Sequence, residues 1–428
     1  MPDQEQRTFQ AQPAMQGDKL HNAPKPYMTF NPPPITLEAG VDGITYDFNF
    51  GARVQVPKGD YRVRLYDNTA RIALYDAAAS DIIVTSTKRY FVNFGIEVLK
   101  KKAKKENATK DEYETIFKHD YNAKDKNVLM KFPDTALGDV LAWFPYAEEF
   151  RKKHQCKLFC AMNPKFSSIL KASYPKITFI ETEIVPDNLY ASYYIGLFWP
   201  WDNHDLQPLD WRMVGLQKHA AYLLGVEPIE KRVVLTPSKK PRQIKEKYVC
   251  IATQATAQCK YWNNAYGWLG VIEYLKKLGY RVLCIDRDKI SISGIHGNTI
   301  PFGAEDFTGN KPLQERIDLL AHADFFIGLT SGLSWLAWGV GIPVIMIVGY
   351  TAPGTEFYTP YRVQHFHVCN SCCNDMRIEH KYNDFGYCPK HGNTDQEFEC
   401  TRFISPEHVN ATIDRVIKDL PIGDGTNR

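Results

Sequence analysis

Several things are missing from this 428-residue chain, and each absence excludes something. No apolar run approaches the roughly 20 residues needed to cross a bilayer. Met1–Lys25 is polar and has no apolar core of a secretion signal, so a cytosolic protein is expected. Neither sign of charge is in excess: 52 Lys and Arg stand against 49 Asp and Glu, a formal net charge of +3. That balance offers no general attraction to nucleic acid or to a membrane surface. No cysteine precedes Cys156, and five of the ten fall between Cys369 and Cys400. An evenly spread disulfide framework would not look like this; clustered thiols in a reducing compartment point to a metal.

A chain of this length exceeds one core and implies two or three domains. Residues 1–34 read as a disordered leader ending in Pro32-Pro33-Pro34. From Ile35 the pattern alternates: Ile44, Tyr46, Phe48 and Phe50, then Val54 and Val56, then Tyr61, Val63 and Leu65. Period-two alternation broken by Pro57-Lys58-Gly59-Asp60 and Asp67-Asn68 predicts a small all-β domain over 35–105, closed by the basic run Lys100–Lys105. From Asn127 strands alternate with helices. Val128–Phe132, Lys157–Met162 and Ile177–Ile180 read as buried strands, and Asp139–Phe150 as a helix. A second block repeats the pattern from Tyr248–Thr253 through Val344–Val348, and a last helix covers about His408–Leu420. The expected fold class is α/β: two Rossmann-like domains, 125–240 and 245–428, facing across a cleft.

Three loops at strand ends carry candidate chemistry. In Lys131–Val140, Asp139 opens a helix at the end of a strand, where ligands of open α/β sheets sit. Its carboxylate suits removal of a hydroxyl proton, and it equally suits a helix cap. Lys260, in Gln258–Trp262 after the Tyr248–Thr253 strand, is placed to neutralise a diphosphate; the plain alternative is a surface lysine beside a packed tryptophan. Thr330, Ser331, Gly332, Leu333 and Ser334 form a strand-to-helix turn with exposed N–H groups and hydroxyls suited to phosphate, or to ordinary capping. This turn is neither a Walker loop nor GxGxxG. A Gly/Pro loop, Gly349–Gly354, ends the next strand, and Asp286 ends another at the cleft, within reach of a nucleotide ribose or base.

Cys369, Cys372, Cys388 and Cys400 form a CxxC knuckle followed by two further thiols, with Cys373 as an extra, inside a finger expected over 365–402. His365, His367, His380 and His391 are possible substitute ligands. The spacing favours zinc and does not exclude iron.

The run Asp306–Gly354 resembles the second domain of the ADP-heptose glycosyltransferases. The resemblance rests on Asp306-Phe307-Thr308-Gly309, the helix before Ala323-Asp324, Ser331–Ser334 and the Gly/Pro loop. Gly138-Asp139-Val140-Leu141 resembles that family's first-domain motif, where the Asp is the base, and Lys260 falls where it places a phosphate-contacting lysine. The chain departs from the family at Trp335, usually His, and at Thr330, usually Asp or Asn. With an N-terminal β domain and a late four-cysteine finger, the whole resembles the bacterial autotransporter heptosyltransferases. That resemblance implies a GT-B fold, ADP-heptose as donor, serine hydroxyls of an autotransporter adhesin as acceptors, one iron ion in the finger and a dodecameric ring. It implies single displacement with Asp139 as base. Lys260 and the Ser331-Gly332 turn carry the diphosphate charge, so no catalytic divalent metal is called for. Two other classes fit the same residues: a GT-B enzyme using another nucleotide sugar, and a non-enzymatic adaptor built on the finger. A nucleic-acid-binding adaptor is disfavoured, because Arg377, His380, Lys381 and Lys390 are sparse and are opposed by Asp375, Glu379 and Asp384.

Overall fold

The computed structural model of the chain describes residues 32–103, 111–198, 203–293, 296–378, 386 and 388–420. The expected leader lies outside the described residues through position 31.

Two parallel sheets organise the chain. The first is built on Asn127–Lys131, whose Val128, Leu129 and Met130 are buried. A strand covered on both faces reads as an unbroken apolar run, as it does here. Lys157–Ala161 and then Thr178–Ile180 lie to one side of it and Leu189–Tyr194 to the other, all parallel. Helix Leu137–His154 follows the central strand and buries Val140, Leu141, Phe144, Ala147 and Phe150. Its last turn carries Arg151, Lys152 and Lys153, cations at the negative end of the helix dipole, and Gln155 ends it in the left-handed conformation.

The N-terminal strands divide between two sheets. Thr45–Asn49 pairs in parallel with Leu189–Tyr194, setting Phe48 opposite Ala191, and Arg53–Val56 and Ile82–Thr85 extend the same sheet in antiparallel fashion. Tyr61–Asp67, Ile72–Ala79, Phe94–Lys101 and Tyr113–Asp120 form a separate four-stranded antiparallel sheet. The alternation read in the sequence is present, but the partner of Thr45–Asn49 lies far along the chain, where local periodicity cannot reveal it. At the join, the Asn49 side chain donates to the Leu189 carbonyl across 140 residues.

The second sheet has six parallel strands. Tyr248–Ile251 is flanked by Arg281–Cys284 and Glu305–Asp306 on one side, and by Phe326–Gly328, Val344–Val348 and Arg362–Gln364 on the other. This is the doubly wound order, in which ligands bind outside the carboxyl ends of the strands where the order reverses, here between Tyr248–Ile251 and Phe326–Gly328. A hairpin, Ile290–Ser293 with His296–Thr299, is inserted on the same side; the Asn298 side chain donates to the Thr253 carbonyl at 2.8 Å.

The two sheets are joined where helix Leu137–His154 packs against helix Gly332–Val340. Gly339 of the second helix lies against Val233 and Leu235, on the segment that crosses from the first block to the second. Among the described residues no helix is long and apolar enough to cross a membrane.

Candidate functional site

The carboxyl ends of the two sheets face each other at this junction. Asp139 sits in the first turn of helix Leu137–His154, but the cap position is Ala136 and no side-chain capping bond is made. The capping alternative for Asp139 is therefore overturned. The residue retains partial accessibility, yet protein surrounds it closely enough that loss of hydration raises its pKa from 3.8 to about 6, with Lys260 pulling weakly the other way. A carboxylate with a raised pKa and no cap to serve is available as a base.

Lys260 comes from the other block, at the end of the short turn Gln258–Lys260. Its ammonium makes one long contact, 3.4 Å to the Thr256 hydroxyl, and stands 6.0 Å from the centre of the Tyr350 ring. Its charge reaches Asp139 across the junction without an ion pair, and also reaches Glu356. Glu356 was missed in the sequence; its only signal is an acidic residue two positions past Gly354. Burial pushes its carboxyl up, offset by Arg362, which bridges to it at 3.2 Å and also donates to the Thr351 and Ala352 carbonyls. Glu356 thus holds the arginine that ties down the Gly349–Gly354 loop.

The turn before helix Gly332–Val340 closes the same pocket of chemistry. The hydroxyls of Thr330 and Ser331 are buried and have no hydrogen-bond partner among the described residues. An orphaned buried hydroxyl costs roughly 1–3 kcal/mol, so two side by side at a helix N-terminus mark a place for an acceptor such as phosphate. Ser334 is different: wholly buried, it donates to the Leu329 carbonyl and shapes the turn. Leu333 is half-buried beside it. Trp335, at 2% exposure, packs edge-on against Phe357, so the indole is core.

Asp286 does not face the cleft. It is 1% exposed, and its carboxylate accepts from the Thr253 amide at 2.8 Å, the Thr253 hydroxyl at 2.9 Å and the Gln254 amide at 3.2 Å. A buried carboxylate that accepts from three donors of the loop after Tyr248–Ile251, and from the Cys284 thiol at 3.4 Å, serves to organise that loop.

The finger lies directly behind these loops. All ten cysteines are free thiols. The sulfurs of Cys369 and Cys372 are 3.9 Å apart. A tetrahedron of metal–thiolate bonds of about 2.3 Å has an edge of about 3.8 Å, so this pair fits one ion. Cys388 and Cys400 are buried nearby, and burial pushes the Cys400 thiol up to about 12, with Cys388 and Cys369 adding to the shift. A thiol crowded by others in this way is relieved by a cation. The four-cysteine set as a whole is not confirmed: among the described residues, Cys369, His391 and Glu399 are the group whose ligand atoms all lie within 4.8 Å of one another. His391 was among the possible substitutes; Glu399, whose carboxylate accepts from the Cys369 amide at 3.0 Å, was not. His380 lies outside the described residues. Cys373 turns away into the main core.

Two family profiles match the chain: the N-terminal domain of glycosyltransferase TibC over residues 40–102, and glycosyltransferase family 9 (heptosyltransferase) over residues 220–385. An autotransporter heptosyltransferase of Citrobacter rodentium, BAHTCr, is 48% identical, over 91% of this chain and 93% of its own. The crystal structure of TibC from enterotoxigenic Escherichia coli, an iron-containing dodecameric glycosyltransferase, is 46% identical with a TM-score of 0.86, covering 92% of this chain and 100% of that one. A second TibC structure, in complex with ADP-D-beta-D-heptose, gives a TM-score of 0.84 over 91% of this chain and 100% of that one. BimC of Burkholderia thailandensis, named as an inactive autotransporter heptosyltransferase, is 38% identical over 90% of this chain and 88% of its own.

Proposed function

This chain belongs to the autotransporter heptosyltransferase family, and on that premise we propose that it transfers heptose from ADP-heptose to serine hydroxyls of an autotransporter adhesin. Because one relative is named as inactive, the chain's own site carries the reading more than membership does. The observation that carries it is the convergence at one junction of Asp139, Lys260 and the two orphaned hydroxyls of Thr330 and Ser331.

The reaction is a single displacement. Asp139 takes the proton of the acceptor serine as its oxygen attacks the anomeric carbon, and ADP departs from the other side. Lys260, the Thr330 and Ser331 hydroxyls and the N-terminus of helix Gly332–Val340 meet the charge that grows on the diphosphate, where such stabilisation speeds the step most. These groups supply the positive potential from the chain itself. We assign 125–240 to the acceptor side and 245–428 to the donor side, in a GT-B arrangement supported by the two facing sheets.

In the finger, Cys369, Cys372, Cys388 and Cys400 would hold one iron ion, with His391 and Glu399 beside Cys369; the iron assignment is supported by the iron-containing relative. The ion has a structural role, and no step of the reaction passes through it. A ring-shaped dodecamer, supported as to subunit number by that dodecameric relative, and a cytosolic location, in keeping with ten free thiols, complete the reading. The test is co-expression with an autotransporter passenger fragment followed by mass spectrometry. Added heptose on serine is expected; an unmodified fragment alongside turnover of a different nucleotide sugar would replace the donor.

A further inference from the structure

The two loops that frame the donor-phosphate side of the cleft are both fastened to the finger. On the Lys260 turn, Cys259 is buried against Cys388 and Phe398. Asn263 donates its amide, at 3.3 Å, and its side-chain nitrogen, at 2.9 Å, to the Thr401 hydroxyl, and Asn264 donates to the Arg402 carbonyl at 2.9 Å. On the Tyr350 loop, the Ser371 amide donates to the Gly349 carbonyl at 2.7 Å and the Cys373 amide to the Tyr350 carbonyl at 3.0 Å. Gly349 itself presses on the finger: a Cβ there would stand 2.7 Å from the Cys400 sulfur. The Lys260 turn has no side-chain cap of its own, and its ammonium makes only the long contact to Thr256 among the described residues, so its position depends on its contacts to the finger together with the buried Trp262, whose indole donates to the Ile404 carbonyl at 2.9 Å.

What packs behind it is a segment with little apolar surface. Such a segment takes its order from the ion it binds, because binding free energy is then folding free energy. We propose that the finger's ion is a positioning element for the Lys260 and Tyr350 loops, so that ion occupancy sets the affinity for a nucleotide diphosphate the ion never touches. This rests on the reading of Lys260 as a phosphate contact. Thr401 is the residue through which the coupling runs on the Lys260 side: wholly buried, next to Cys400, and bonded to Asn263.

The experiment uses the full chain with its metal and compares Thr401→Val with Thr401→Ser. The valine variant keeps the shape and removes the hydroxyl that ties Asn263 to the finger: the Asn263 amide loses its acceptor, and the side-chain nitrogen keeps only the Gln258 and Tyr261 carbonyls of its own loop; the serine variant keeps the hydroxyl. Metal content, ADP affinity by calorimetry and amide hydrogen exchange over 256–264 are read. T401V is expected to keep its full metal complement, bind ADP about tenfold more weakly and exchange faster over 256–264, with exchange in helix Leu137–His154 unchanged. T401S is expected to match the parent. Chelator-stripped protein is expected to show the same weakening, reversed by added iron. T401V with full metal, parental ADP affinity and parental exchange overturns the proposal, as does stripped, folded protein that binds ADP as before. If stripping unfolds the chain, T401V decides alone. A parent protein that binds no ADP would instead overturn the reading of Lys260, and the exchange measurement would still test the coupling.

Discussion

Gly138 and Gly332 meet backbone to backbone where the two α/β blocks join. A Cβ on Gly332 would stand 3.1 Å from the Leu137 Cβ and 3.2 Å from the Gly138 amide nitrogen, and one on Gly138 would stand 3.1 Å from the Trp335 ring. The absence of both side chains brings the positive ends of two helices together beside the orphaned hydroxyls of Thr330 and Ser331. Gly332→Ala is expected to push the blocks apart by a few tenths of an ångström and lower turnover more than tenfold, while destabilising by about 1 kcal/mol. Steady-state kinetics with thermal unfolding checks this; unchanged turnover would mean the close approach has no part in catalysis.

Asp139→Asn is expected to abolish transfer and to stabilise the protein at neutral pH. Burial disfavours the ionised carboxylate, so its pKa stands at about 6 in the fold against 3.8 for the ordinary group. Below about pH 4 the group is protonated folded or unfolded, and the penalty is absent. It grows as pH rises to 6 and is complete above. Two pKa units correspond to about 3 kcal/mol as an upper bound, and partial accessibility reduces the expected gain to about 1–2 kcal/mol. Denaturant midpoints of parent and variant should therefore separate at pH 7.5 and converge near pH 4. The parent's kcat/KM should fall on the acid side with an apparent pKa near 6. An acid limb near 4 would remove Asp139 from the role of base.

Lys260→Ala is expected to weaken ADP binding and to slow turnover. A charge-assisted contact to phosphate contributes roughly 1.5–3 kcal/mol, or about ten- to a hundredfold. Calorimetry with ADP measures it directly. Equal affinity and equal turnover would return Lys260 to the plain reading of a surface lysine.

Serine at Cys369, Cys372, Cys388 or Cys400 is expected to lower metal content and stability, and at Cys373 to leave the metal in place. Glu399→Gln and His391→Ala separate the two possible ligand sets. With four thiolates as ligands, both variants keep a stoichiometric ion. Elemental analysis and the visible spectrum decide it, and colourless protein carrying zinc would overturn iron.

The positions of the candidate loops were legible because strand, loop and helix start follow one another in the sequence and place Asp139, Lys260 and Thr330–Ser331 at strand ends. What could not be read was where each side chain spends its hydrogen bonds. Asp286 stands at a strand end like Asp139, but Thr253 and Gln254 fill its carboxylate. Ser334 lies in the same turn as Ser331, but bonds inward to Leu329. Leu189–Tyr194 was not read as a strand: all six residues are buried, two of them small, so neither alternation nor a long apolar run marks it. Glu399 stood outside the cysteine pattern that defined the finger.

The parallel pairing of Thr45–Asn49 with Leu189–Tyr194 also bears on how the chain is made. At roughly 5–20 residues per second, the 140 residues between Asn49 and Leu189 take about 7–30 s to synthesise. For that interval the nascent N-terminus carries strands whose neighbour does not yet exist. An N-terminal fragment cut anywhere before Leu189 would keep Leu37–Glu38 against Thr45 and Tyr46 but present the bare Phe48–Asn49 end of the strand to solvent and to other copies, so truncations there are expected to aggregate as isolated products, while the intact polypeptide closes that edge on itself.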